Sequence, residues 1–262
     1  MMTARISVSH PTLTAPMVLI TAAGIFLGSI MDAIAGGGGI ITVPTYLLAG
    51  IPMHMALGTN KLSSAIGMTA SAGRFIKSGY INWRLALPSV VLALAGAAAG
   101  TRLQLLLSDR VLQLLLLAVL PVVALVVLRK RTLPEEPGDI DPRRQLVIIL
   151  ASSLVIGMYD GLYGPGSGTF LLLAFTNWGK LGSRTAAGNV KVVNIAANMG
   201  SLATSLLHGQ VFLLLGLIAA ASSFAGHFVG AGLAIQNGSK IIRPTVLIVL
   251  GLLAVKILWG FF

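Results

Sequence analysis

Asp32-Ala33-Ile34-Ala35-Gly36-Gly37-Gly38-Gly39 and, 128 residues later, Asp160-Gly161-Leu162-Tyr163-Gly164-Pro165-Gly166-Ser167-Gly168 each set a carboxylate and a glycine-rich break at the end of an apolar run. Inside a bilayer no water replaces the hydrogen bonds that such a break gives up. Irregular backbone therefore survives at membrane depth only when buried in protein or lining a cavity. Two breaks at corresponding places in two halves of a chain point to a binding site near the bilayer midplane.

Composition sets the environment. Of 262 residues 56% are hydrophobic and 10% charged, with a mean hydropathy of +0.92, whereas a soluble domain carries about 25% charged residues. The net charge of +11 comes from basic residues scattered among short loops, which does not make the continuous face that a nucleic acid needs. With no cysteine, disulfides, thiolate metal sites and thiol catalysis are excluded. The first apolar run follows a short basic start, as in a signal peptide, but continues into the first break and is read as retained.

Beyond the breaks the two halves match at an offset of 130: Gly58 with Gly188, Lys61 with Lys191, Ser71 with Ser201, Gly79 with Gly209, Gly96 with Gly226 and Gly100 with Gly230. Matches spread over most of each half at nearly one offset indicate internal duplication. Each half offers four runs long enough to span, 16–35, 58–77, 85–107 and 110–128, then 145–163, 188–207, 211–236 and 243–262. Short apolar runs, 40–50 and 169–178, follow the breaks, and Pro44 is expected to interrupt the first. If each short run crosses as a half-helix, every half crosses an odd number of times and the second copy is inverted. The basic residues then sort twelve to four, with the linker on the richer, cytoplasmic side. The expected fold is an all-α polytopic membrane protein of two inverted-topology repeats, 1–128 and 145–262, joined by a cytoplasmic linker, 129–144. Each repeat has about four long membrane helices and a glycine-broken half-helix.

Four ionisable residues lie in apolar segments: Asp32, Lys61, Asp160 and Lys191. Each costs about 2.5–3.5 kcal/mol at a helix centre, so a function and a partner are the first expectation. The bland alternative is a pair of Asp–Lys bridges that only hold the halves together. Lys191, Asn194, Asn198 and Ser201 share one helical face; the first copy repeats its beginning as Asn60, Lys61 and Ser64, then turns apolar at Met68. These polar groups suit either a ligand or hydrogen bonds between helices. A half-helix starting at a break presents free N–H groups and the positive end of a dipole, which favours an anion. The expected substrate site is thus Gly38, Gly39, Asn60, Lys61, Gly166, Ser167, Gly168, Asn189, Lys191, Asn194 and Asn198, with Lys191 the better equipped lysine and Asp32 and Asp160 the candidates for coupling to protons. His227, with no partner set visible in the sequence, reads as a core histidine rather than a proton relay. Gly96/Gly100 and Gly226/Gly230 read as helix-packing surfaces, and Trp83, Trp178 and Trp259 as interfacial anchors.

Asp32 through Pro44, Gly58-Thr59-Asn60-Lys61-Leu62 and Tyr159 through Pro165 together resemble the sulfite exporter TauE/SafE family, most closely its YfcA-like branch. The resemblance implies a bacterial inner-membrane permease with duplicated halves that carries small sulfur-containing anions such as sulfite or sulfonates. The leading expectation is a secondary transporter of a small anion; a passive channel is disfavoured by the buried carboxylates, and a membrane enzyme lacks a motif. No cofactor or metal is expected, and the partners are the anion and the lipid bilayer.

Overall fold

The structure, a computed structural model, describes residues 13–112, 114, 134–238, 240, 241 and 244. The chain forms α1 (Ala15–Ala35), α2 (Gly39–Leu48), α3 (Met53–Lys77), α4 (Trp83–Leu106), α5 (Pro142–Leu162), α6 (Ser167–Leu173), α7 (Ser183–Leu207) and α8 (Leu213–Asn237), with a π-helical turn at Ala174–Trp178 continuing α6. No strand occurs among the described residues. The runs 110–128 and 243–262, the linker's first residues and Trp259 lie wholly or mostly outside the described set.

Local chemistry starts and stops these helices. Thr14 caps α1, its hydroxyl accepting from the Met17 N–H, and Asp141 caps α5 by accepting from the N–H groups of Arg143 and Arg144. Gly36, in the left-handed region at φ 76°, ends α1 and returns its N–H to the Asp32 carbonyl. Pro44 does not interrupt the first short run: it sits inside α2, where a helix of 10 residues loses one ladder bond and continues. α1, α4, α5, α7 and α8 are long and apolar enough to cross a membrane. α3 is 25 residues long but falls outside that set, its hydropathy lowered by Asn60, Lys61, Ser63 and Ser64.

The halves interleave. α1 packs on α8 while α5 packs on α4; α3 packs on α8 while α7 packs on α4; and α3 meets α7. Exchanging α1 with α5, α3 with α7 and α4 with α8 leaves this pattern unchanged, and the exchange holds at individual residues. A Cβ at Gly96 or Gly100 would collide with the Leu154 or Met158 carbonyl, and one at Gly226 or Gly230 with the carbonyls of Phe26 or Ile30, their counterparts 128 residues earlier. Gly58 lies against the Gln210 carbonyl as Gly188 lies against that of Tyr80. Small residues let the backbones approach, and in lipid such packing supplies most of the association. The duplication read in the sequence is thus a duplication of contacts.

Candidate functional site

The two breaks are built alike and meet. At the first, the carboxylate of Asp32, in the last turn of α1, accepts the Gly38 N–H at 3.0 Å and so holds the start of α2. At the second, Gly164 and Gly166 adopt φ 96° and 86°, conformations that favour glycine. There the Asp160 carboxylate accepts the Ser167 hydroxyl at 2.5 Å, at the start of α6. Tyr159 ties the loop by donating to the Pro165 carbonyl at 2.6 Å. Across the breaks, the Thr169 N–H donates to the Gly36 carbonyl at 3.1 Å and its hydroxyl to the Ala35 carbonyl at 2.9 Å. The two half-helices therefore begin back to back. Gly36 and Gly168 touch through their backbones, and a Cβ on Gly39 would fall 2.9 Å from Pro165 Cα.

Each buried lysine pairs with the other half's carboxylate. Lys61, from α3, donates to both the Oδ2 and the main-chain carbonyl of Asp160, each at 2.6 Å. Lys191, from α7, donates to the Asp32 carbonyl and stands 3.5 Å from Asp32 Oδ2. All four residues are buried. Desolvated charges are tolerable when paired in this way. His227, from α8, lies 3.7 Å from the same Asp32 oxygen, so the histidine that looked isolated in the sequence faces the first break.

A cavity of about 20 Å³ lies where the breaks cross, with room for about one water. Its wall comes from both halves: Asp32, Gly36, Gly39, Asn60, Lys61, Ser64 and Met68 from the first, Asp160, Gly164, Ser167, Asn194 and Asn198 from the second. Three buried acceptors here, Asp32 Oδ2, Asn60 Oδ1 and Asn194 Oδ1, have no hydrogen-bond partner. Unsatisfied polar groups are costly in a packed interior, and each of these three lacks a donor, such as a water or a proton supplies.

Of the residues expected from the sequence, Gly39, Asn60, Lys61, Ser167, Asn194 and Asn198 line this cavity, together with Asp32 and Asp160. Gly38, Gly166, Gly168 and Lys191 are not part of the lining: Gly168 lies against Gly36, and Lys191 is bonded to the Asp32 carbonyl. Asn189 is also away from it, donating to the Thr185 carbonyl. Gly36, Gly164, Ser64 and Met68 were outside the expected set; Ser64 and Met68 are the repeat counterparts of Asn194 and Asn198, so the offset of 130 marked them. Among the described residues no group of His, Asp and Glu could hold a metal.

The family model described as sulfite exporter TauE/SafE matches residues 20–257. Similar proteins include the "Probable membrane transporter protein ORF9" of a Sinorhizobium species, 34% identical with 89% of each chain covered. A "Probable membrane transporter protein" of Haemophilus influenzae is 33% identical over 89% of this chain and 91% of its own. The "Probable membrane transporter protein YfcA" of Escherichia coli K12 is 29% identical over 89% and 86%. No solved structure matches the chain. With duplicated helices, a buried polar cavity at two helix breaks and a match over nearly its whole length, the chain belongs to the sulfite exporter TauE/SafE family and is a multi-pass membrane transporter, not an enzyme.

Proposed function

We propose that the chain is a secondary transporter of a small anion, a sulfur-containing oxyanion or organosulfonate, bound in the cavity between the two breaks and coupled to protons. The observation that carries this reading is the cavity wall itself: residues of both halves converge on one point, where the Lys61 ammonium and the side-chain amide N–H groups of Asn60 and Asn194 can donate to an anion. Lys61 has one N–H left after serving Asp160, and α2 and α6 start at the cavity with their positive ends. With room for about one water, the cavity cannot take a larger anion until its walls part. The walls belong to different halves, so parting them is the rocking movement that exposes a central site first to one side and then to the other.

On this reading the halves, 1–128 and 145–262, are inverted repeats in the bacterial inner membrane, the linker 129–144 is cytoplasmic and the termini are outside. The twelve-to-four division of basic residues supports that orientation. The two carboxylates and two ammonium groups sum to zero, so an incoming anion leaves unpaired negative charge in a low-dielectric site, which proton uptake cancels. A thermal-shift screen of the purified protein against sulfite, sulfonates and carboxylates tests the substrate class. Stabilisation by the sulfur anions, lost in Asn194→Leu, is expected; stabilisation by carboxylates alone, or an unchanged response in Asn194→Leu, would sink the assignment.

A further inference from the structure

The two break carboxylates are repeat counterparts, yet they are unequally satisfied. Asp160 has both oxygens engaged, Oδ1 by the Ser167 hydroxyl and Oδ2 by Lys61, which also grips its carbonyl. Asp32 uses Oδ1 for the Gly38 N–H, while Oδ2 has no hydrogen bond and only the longer, 3.5 Å ion pair with Lys191. The sequence explains the difference: the counterpart of Ser167 is Gly39, which has no hydroxyl, and the counterpart of His227 is Ala97. Among the described residues, the first break alone has an imidazole at its carboxylate. That imidazole is 1% exposed, has Nε2 3.7 Å from the same Asp32 Oδ2 and leaves Nδ1 without a hydrogen-bond partner.

Among the described residues, the charged surroundings of the dyad are few. Lys191 on α7 faces both groups, bonded to the Asp32 carbonyl and ion-paired with Oδ2 at 3.5 Å. Lys61 and Asp160 share the cavity with Asp32 and are bonded to each other. From α3, Arg74 packs on the neighbouring Phe228, donating to its carbonyl at 3.0 Å with the guanidinium 4.5 Å from its ring centre. A proton added beside Asp32 Oδ2 finds an acceptor already in place and cancels charge where the cavity opens.

We propose that Asp32 and His227 together form the proton site of this transporter, the proton lodging between Asp32 Oδ2 and His227 Nε2 when an anion enters, while Asp160 stays a permanent partner of Lys61. The inference rests on the anion-transport reading above and names the group that carries its coupling. Carboxylate, imidazole and one proton become an imidazolium–carboxylate or an acid–imidazole pair. Either gains one positive charge and balances one monovalent anion. The proton comes from the side on which the anion enters and leaves with it on the other.

Calorimetry with methanesulfonate, whose charge is fixed over the working range, and with sulfite separates the possibilities. With one proton taken up per anion, parent affinity for methanesulfonate tightens by about tenfold for each pH unit of acidification. His227→Gln and Asp32→Asn, checked for folding by size-exclusion chromatography, should each flatten that slope, whatever affinity remains, and His208→Gln, at the C-terminal end of α7 and outside the cavity wall, should retain it. A parent-like slope in His227→Gln overturns the proposal, and so does loss of all binding in both variants while His208→Gln still binds. If the parent binds neither anion, the transport reading fails and this inference fails with it. A parent that binds both without any pH slope removes the proton site but leaves anion binding intact.

Discussion

Lys61→Met isolates the clasp between the halves. The substitution keeps the length of the apolar stem and removes an ammonium that makes two 2.6 Å bonds to Asp160, both ends buried. Removing one partner of a buried pair costs about 3–5 kcal/mol, because the other charge is left uncompensated. Equilibrium unfolding by SDS titration in mild detergent should therefore show a loss of about 4 kcal/mol at pH 7. In the double variant Lys61→Met/Asp160→Asn no charge is stranded, and stability should return to within about 1.5 kcal/mol of the parent. A loss under about 1 kcal/mol in Lys61→Met at pH 7, or single-variant losses that simply add in the double, would refute this account of the pair.

Three further outcomes follow from other parts of the structure. Gly168→Ala would set a Cβ 2.6 Å from the Gly36 carbonyl oxygen and 2.8 Å from Asn194 Nδ2, and should cost about 1–3 kcal/mol in the same titration. Gly73→Ala, which meets nothing within 4 Å on α3, should be neutral or stabilising by up to about 1 kcal/mol. Single cysteines placed at Pro137 and Asn237 of this cysteine-free chain should react with a membrane-impermeant maleimide only from the cytoplasmic side, and one at Gly209 only from outside; opposite sidedness of 137 and 237 would end the inverted-repeat reading.

The duplication was legible because it repeats residue types that lipid makes expensive. Asp32 with Asp160, Lys61 with Lys191, and the glycines at one offset announce two copies and place their breaks. Which lysine serves which carboxylate was not legible. Lys61 and Asp160 are 99 residues apart, and their meeting depends on how the halves interleave, which periodicity along one helix does not encode. The glycines of the breaks suit a close ligand equally well as a close neighbour, and here Gly36 and Gly168 spend their missing side chains on each other. His227 looked solitary for a related reason. Its partner, Asp32, lies on α1, and only the packing of α8 against α1 brings the two together. The repeat itself held one unused clue, since Ala97 stands where the second copy has His227, a difference inside an otherwise matching stretch.

If the substrate occupies the cavity shared by the two breaks, an electron-rich anion should be found there. Crystals of the protein grown with selenite, the heavier analogue of sulfite, allow the bound anion to be located by the anomalous scattering of selenium. A peak is expected among Asn60, Lys61, Ser167 and Asn194, with the walls from the two halves drawn apart to admit it and the peak abolished by competing sulfite. A peak elsewhere in the protein that sulfite displaces, with this cavity still closed, would contradict it.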